Sequence, residues 1–134
     1  VRAPKVIDSY ALIAYFDNEP GADAVTALIK EARDRDEPLL MSVVNWGEVY
    51  YIVSRTAGKA AADGALEIID TLPIDIVPAD RPLARSAAEI KAGHKLSFAD
   101  CFAAALAKSA GAELITGDPE FKGLKNELQI RWIA

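Results

Sequence analysis

Cysteine and histidine are all but missing from this sequence: one of each, Cys101 and His94, in 134 residues. A lone cysteine cannot close an internal disulfide, so the fold is not expected to depend on an oxidising compartment. A lone histidine excludes most histidine-based metal sites and any mechanism built on a histidine pair. No apolar run approaches the ~18 residues that a membrane-spanning helix needs. The opening Val1-Arg2-Ala3-Pro4 puts no hydrophobic secretion segment behind its positive charge, so a cytoplasmic location is expected. Linkers and internal repeats are also missing, and the length suits one compact domain over 1–134 whose core needs no staples. Basic residues are the minority, 15 against 20 acids, for a net charge of −5. That balance argues against a nucleic-acid partner, because phosphate contacts come from lysine and arginine. The inference fails if several carboxylates sit together and hold metal ions.

What is present alternates in period. Lys5 to Asp8 reads as a short buried strand ended by a charge, followed by a small helix with Leu12, Tyr15 and Phe16 on one side. After the turn at Asn18-Glu19-Pro20-Gly21, Val25, Leu28, Ile29 and Ala32 recur at helical spacing, and Pro38 stops the solvated end of that helix. Leu39-Leu40-Met41 is a second strand, and a helix from Val43 to about Arg55 breaks near Gly58. Lys59 to Leu72 is a further helix with Ala62, Leu66 and Ile69 inward; Ile74 to Val77 is a third strand. Asp80-Arg81-Pro82 starts a helix that stops near Gly93, and Ser97 opens one that is apolar almost all round, hence buried. Glu113 to Thr116 is a fourth strand, Pro119 begins a short helical turn, and a last strand lies near Gln129 to Ile133. Strands alternating with helices point to an α/β fold with a central, mainly parallel sheet. Such sheets bind ligands beyond the carboxyl ends of strands, where the winding reverses. If the fourth strand pairs beside the first, Asp8 and Asp118 meet there.

Four acids stand out. Asp8 ends the first strand, a position that suits chemistry and equally a helix N-cap. Glu48 has Val44, Tyr51 and Ile52 as helical neighbours, and a charge on an apolar face is costly unless paired, bound to a metal or snorkelled to the surface. Asp100 falls at the third helical position after Ser97, where it also suits a capping arrangement. Asp118 precedes proline as an N-cap would. Brought into one pocket, four carboxylates repel, each pair ~6 Å apart by roughly 3 kcal/mol at an effective dielectric of 20. At least one should then have a raised pKa without metal. An all-oxygen donor set suits Mg²⁺ or Mn²⁺, and metals so held serve phosphodiester hydrolysis. Setting these four aside leaves sixteen acids against fifteen bases, a net −1, so the acidity of the whole chain does not exclude RNA. It does predict weak non-specific binding.

Four stretches in order, Val-Ile-Asp-Ser-Tyr-Ala-Leu-Ile-Ala at 6–14, Val-Asn-Trp-Gly-Glu-Val-Tyr-Tyr at 44–51, Ser-Phe-Ala-Asp-Cys-Phe-Ala-Ala-Ala-Leu-Ala at 97–107 and Thr-Gly-Asp-Pro-Glu-Phe at 116–121, resemble the PIN-domain family. Within it, the match is to VapC-like toxins of type II toxin–antitoxin pairs. The resemblance implies a three-layer α/β/α domain and an Mg²⁺- or Mn²⁺-dependent endoribonuclease. It places the family's acidic set on Asp8, Glu48, Asp100 and Asp118, with Asp8 and Asp100 as main metal ligands. Asp118 would complete the site directly or through water, and Glu48 would bind water at the metal or help activate the nucleophile. Thr116 and Ser9 match supporting hydroxyl positions. Tyr10 is larger than the family pattern leads one to expect. The resemblance further implies a homodimer and a small antitoxin gripped by the first two helices and the Lys59–Leu72 helix. Leu12, Tyr15, Phe16, Val25, Leu28 and Ile29 suit either that groove or the core.

Other readings are weaker. An aspartate-nucleophile phosphatase wants a second aspartate two residues after the first, where this chain has Tyr10; a receiver domain's paired acid and lysine are not convincing; and there is no P-loop. A PIN-like module that binds RNA or a partner without cutting, or a housekeeping PIN nuclease, remains an alternative. Arg55, Lys59, Lys91, Lys95, Lys122 and Lys125 flank the acidic motifs and suit RNA steering or ordinary solvated surface. His94 is expected to end a helix, Cys101 to be inert packing, and Trp46 and Trp132 to lie in the core.

Overall fold

Turn and cap residues divide the chain where the sequence leads one to expect. The computed structural model describes residues 3–134, so the start read from Val1-Arg2 lies outside the described residues. Strand β1 (Lys5–Ile7) leads into α1 (Ser9–Phe16) and α2 (Ala22–Arg35), and β2 (Leu39–Ser42) into α3 (Val43–Ala57) and α4 (Lys59–Thr71). Then β3 (Ile74–Val77) leads into α5 (Arg81–Gly93) and α6 (Phe98–Ala110), and β4 (Glu113–Thr116) into a 3₁₀ helix, Pro119–Leu124, before β5 (Ile130–Trp132). Asp80 caps α5 by accepting from the Leu83 N–H at 3.0 Å, with proline in the first turn. Gly111, at φ +60°, closes α6 in the left-handed conformation that a side chain disfavours.

The five strands lie in the order β3-β2-β1-β4-β5, and every pairing is parallel. Because successive strand residues face opposite ways, the sheet sorts its side chains between two cores. Val6 and Leu114 join Leu83, Ala87, Phe102 and Phe121, from α5, α6 and the 3₁₀ helix, on one face. Ile7, Leu39, Met41 and Ile115 join Leu12, Val25, Val49 and Ile69, from α1 to α4, on the other. This is the three-layer α/β/α arrangement. Each fully buried aliphatic side chain here contributes roughly 1.5–3 kcal/mol relative to exposure. From Cys101 to Ala107 helix α6 is buried at every position, as its all-round apolar sequence requires.

Among the described residues, no helix is long and apolar enough to cross a membrane. Leu12, Val25, Leu28 and Ile29 belong to the core, whereas Tyr15 and Phe16 are half-buried and touch at 5.7 Å between ring centroids. Trp46 packs against the core. Trp132 does not: it is 39% exposed, contrary to the core position expected from sequence. It sits at the end of β5, the edge strand, which has a neighbouring strand on one side only.

Candidate functional site

The strand order makes the β1/β4 junction the point where the winding reverses: the chain moves outward from β1 to β3, then returns to β1's other side as β4. Asp8 leaves β1 there and caps α1, its Oδ1 accepting from the Ala11 N–H at 2.8 Å. Its Oδ2 accepts from the Thr116 hydroxyl at 2.5 Å, and the same hydroxyl oxygen accepts from the Asp118 N–H at 3.0 Å. Thr116, fully buried at the end of β4, thus ties the first acid to the loop that carries another. Asp118 caps the 3₁₀ helix by accepting from the Glu120 N–H at 2.9 Å.

The other two acids arrive on helices. Ser97 caps α6 by accepting from the Asp100 N–H at 3.1 Å, which fixes Asp100 in the first turn. Glu48 on α3 accepts through Oε1 from the Ser9 hydroxyl at 2.5 Å and from Asn45 Nδ2 at 3.3 Å. Asn45 Nδ2 also donates to the Ala99 carbonyl at 3.1 Å, so one buried amide bridges α3 to the residue before Asp100. Ser9, Glu48, Asp100 and Asp118 line an open cleft of about 560 Å³ together with Tyr10. Asp8, next to Ser9 in the chain, does not line the cleft: it is 1% exposed, yet feels the charges of Asp100 and Asp118.

The electrostatic strain falls where burial is deepest. Desolvation pushes the Asp8 carboxyl up to about 7, against the pull of the Thr116 and Ala11 hydrogen bonds, and the charges of Asp100 and Asp118 push it further. Asp100 is raised to about 6, first by desolvation, with added repulsion from Asp118, Glu48 and Glu120. One carboxylate oxygen from each of Asp100, Asp118 and Glu120 lies within 4.8 Å of the others. Such a set has only hard oxygen donors and an unneutralised charge, which fits a divalent cation of the Mg²⁺ or Mn²⁺ type.

Of the six residues singled out from sequence, Ser9, Glu48, Asp100 and Asp118 line one cleft, whereas Asp8 and Thr116 are buried; Thr116 donates to Asp8 as Ser9 donates to Glu48. Two more were not singled out. Glu120 was masked by the Asp-Pro-Glu cap pattern, although its place two residues after Asp118 in a helical turn was the available signal. Asn45 gave no signal beyond lying three residues before Glu48. Its Oδ1 is buried without a hydrogen-bond partner among the described residues.

The flanking cations have varied roles. Lys59 pairs with Asp63 at 2.6 Å, Arg55 stands 5.2 Å over the Tyr51 ring, and Lys91 donates to the Leu96 carbonyl. Lys95, Lys122 and Lys125 are exposed. His94 ends α5, bonded to the Ile90 carbonyl and Glu127, away from the acids. Cys101 is buried, and burial pushes its thiol pKa up, so it is packing rather than a nucleophile.

Known proteins share this architecture. VapBC2 from Rickettsia felis, solved bound to a DNA fragment from its promoter, superposes with a TM-score of 0.76 at 17% identity, over 95% of this chain and 96% of that one. DNA-bound VapBC from Salmonella typhimurium gives 0.73 at 12% identity, over 99% and 100%. VapC20 from Mycobacterium tuberculosis, described as a toxin that cleaves the sarcin-ricin loop, gives 0.66 at 21% identity, over 89% and 93%. At these identities the likeness is one of fold. No curated protein sequence matches the chain. The sequence model of the PIN domain, however, matches residues 5–127, from the first residue of β1 to past the 3₁₀ helix. On a match that spans nearly the whole chain, the chain belongs to the PIN-domain family.

Proposed function

We propose that this protein is a metal-dependent endoribonuclease that hydrolyses RNA phosphodiester bonds, acting in the cytoplasm as the toxin of a toxin–antitoxin pair. The observation that carries the chemistry is the convergence of buried Asp8 with Asp100, Asp118 and Glu120 at the β1/β4 reversal. Asp8, Asp100 and Asp118 would hold the cation, with Glu48 and Glu120 beside them. A divalent cation, when bound, offsets the charge of the phosphodiester and lowers the pKa of a water molecule.

The rest is done by the chain. Thr116 holds the Asp8 carboxylate in one orientation. Ser9 and Asn45 occupy Glu48 Oε1, which leaves Oε2 to take the proton that the attacking water gives up. Asp8 and Asp118 at helix N-caps and Asp100 in a first turn face the positive ends of helix dipoles, which partly offsets their mutual repulsion. Membership of the PIN family and the shared fold with VapBC structures support the toxin reading, and with it a small antitoxin partner and a homodimer.

The test is to incubate the purified protein with total cellular RNA, with and without Mg²⁺ or Mn²⁺, beside Asp8→Asn and Asp100→Asn. Discrete metal-dependent cuts, lost in both variants, are expected. An intact RNA population with metal-loaded protein, across several RNA sources, would leave a PIN module that binds without cutting.

A further inference from the structure

Tyr10 is the residue at the cleft that the acid chemistry does not use. It follows Ser9 in the first turn of α1, lines the same cleft as Glu48, Asp100 and Asp118, and is 44% exposed. One edge of its ring rests on Gly117, the residue between Thr116 and Asp118. A Cβ at position 117 would lie 2.5 Å from Tyr10 Cε1 and 3.1 Å from Cδ1. Gly117 is not in the left-handed region, so its backbone does not demand glycine; a side chain there would instead push the Tyr10 ring aside and crowd Ile133 Cγ1 at 3.2 Å. The pair therefore seats a large, neutral, half-exposed ring at the mouth of a negatively charged cleft.

On an open surface a tyrosine samples several rotamers and would lose that freedom on binding. Contact with Gly117 along one ring edge removes part of that freedom beforehand, which favours contact with a planar partner. Resting on the ribonuclease reading above, we infer that Tyr10 is a substrate-contacting residue on which a nucleobase beside the scissile phosphate stacks. The carboxylates engage the phosphodiester only through a cation and repel everything anionic around it. A neutral ring beside them offers the adjoining base a favourable surface whatever its identity, because every base has a π-face. Stacking on a side chain requires a base free of its helical neighbours, so the substrate is an unpaired RNA segment. Tyr10 then selects for single-stranded structure and leaves base identity to other contacts.

The probe is a short phosphorothioate oligouridylate, compared with an abasic oligomer of the same length and backbone, both titrated with the Mg²⁺-loaded protein by fluorescence anisotropy. Total-RNA cleavage and thermal melting are followed in parallel. The wild type should favour the base-bearing oligomer by roughly 5- to 150-fold, the range for one stacked base. Tyr10→Ala should remove most of that ratio and Tyr10→Phe should keep it. Gly117→Ala, which displaces the ring without removing it, should lower it. General damage to the fold would weaken both oligomers together and leave the ratio unchanged. A Tyr10→Ala protein that still cleaves RNA and keeps the wild-type ratio overturns the inference alone, and would assign Tyr10 to a protein partner. Loss of the ratio in Tyr10→Phe overturns stacking as its cause. A wild type that neither binds nor cuts RNA overturns the ribonuclease reading, and this inference with it.

Discussion

At the scale of single residues, the site is a set of groups held where they are individually unfavourable. Asp8 is the extreme case, with its carboxyl pKa pushed up to about 7 by burial. In the unfolded chain it titrates near 3.8, so between these values the folded state binds a proton that the unfolded state has released. Stability of the metal-free protein should therefore fall as pH rises from about 4 to about 7, by about 4 kcal/mol from this group alone. Asp8→Asn should remove most of that slope and raise the melting temperature of the metal-free protein at neutral pH, while abolishing RNA cleavage. Melting curves with a chelator present, across that pH range, check it; a wild type whose stability rises through the window would contradict it. Asn45 poses the same conflict in neutral form. It holds Glu48 and the Ala99 carbonyl but leaves Oδ1 buried and unpaired. Asn45→Ala loses two hydrogen bonds and also an unsatisfied acceptor, so its net stability change should stay within about 1 kcal/mol. Cleavage should nonetheless drop roughly 10- to 100-fold, as for other residues that orient a metal-site carboxylate. A large loss of stability with unchanged turnover per folded molecule would make Asn45 a packing residue only.

At the scale of elements, three of the four acids, Asp8, Asp100 and Asp118, are delivered by helix starts, and Glu48 by the second turn of α3. Ser97 accepts from the Asp100 N–H, and its replacement by alanine should cost about 1 kcal/mol and loosen the turn that carries the acid. Reduced metal affinity at full helix content, read by calorimetry beside circular dichroism, is the expected result; unchanged affinity would separate the cap from the site. The same cap residues explain why the element layout was legible in the sequence. Pro38, Gly58, Asp80-Pro82, Ser97 and Gly111 each act through local backbone preferences, so each boundary could be read without its tertiary surroundings. Periodicity likewise placed Val25, Leu28, Ile29 and Ala32 on the buried face of α2. What escaped depends on contacts across long stretches of chain. Trp132 is exposed on β5, an edge strand, and Gly117 bears on a ring 107 positions earlier. Asn45 reaches across to Ala99, and Glu120 meets Asp100 only once the 3₁₀ helix is laid beside α6.

At the scale of the whole molecule, charge is concentrated rather than spread. Apart from the four acids first singled out, sixteen acids nearly balance fifteen bases, so RNA affinity should come from the metal-loaded cleft more than from a basic surface. Binding to RNA should accordingly vanish on chelation and change only weakly with salt, unlike that of a basic nucleic-acid binder. A steep salt dependence that survives chelation would point to a phosphate-binding surface elsewhere. The homodimer proposed here is checked by sedimentation equilibrium, where a single-chain mass at micromolar protein would rule it out. The most direct test of the account, however, is titration of metal-free protein with Mn²⁺ at about pH 6.5, in buffers of different ionisation enthalpy. At that pH Asp8 is largely protonated and Asp100 partly so, and a cation must displace those protons to reach the carboxylates. Saturable binding is expected, with a heat that depends on the buffer through proton release and with loss of binding in Asp100→Asn. Saturable binding with no proton release, or binding that survives Asp100→Asn unchanged, would place the cation elsewhere and contradict it.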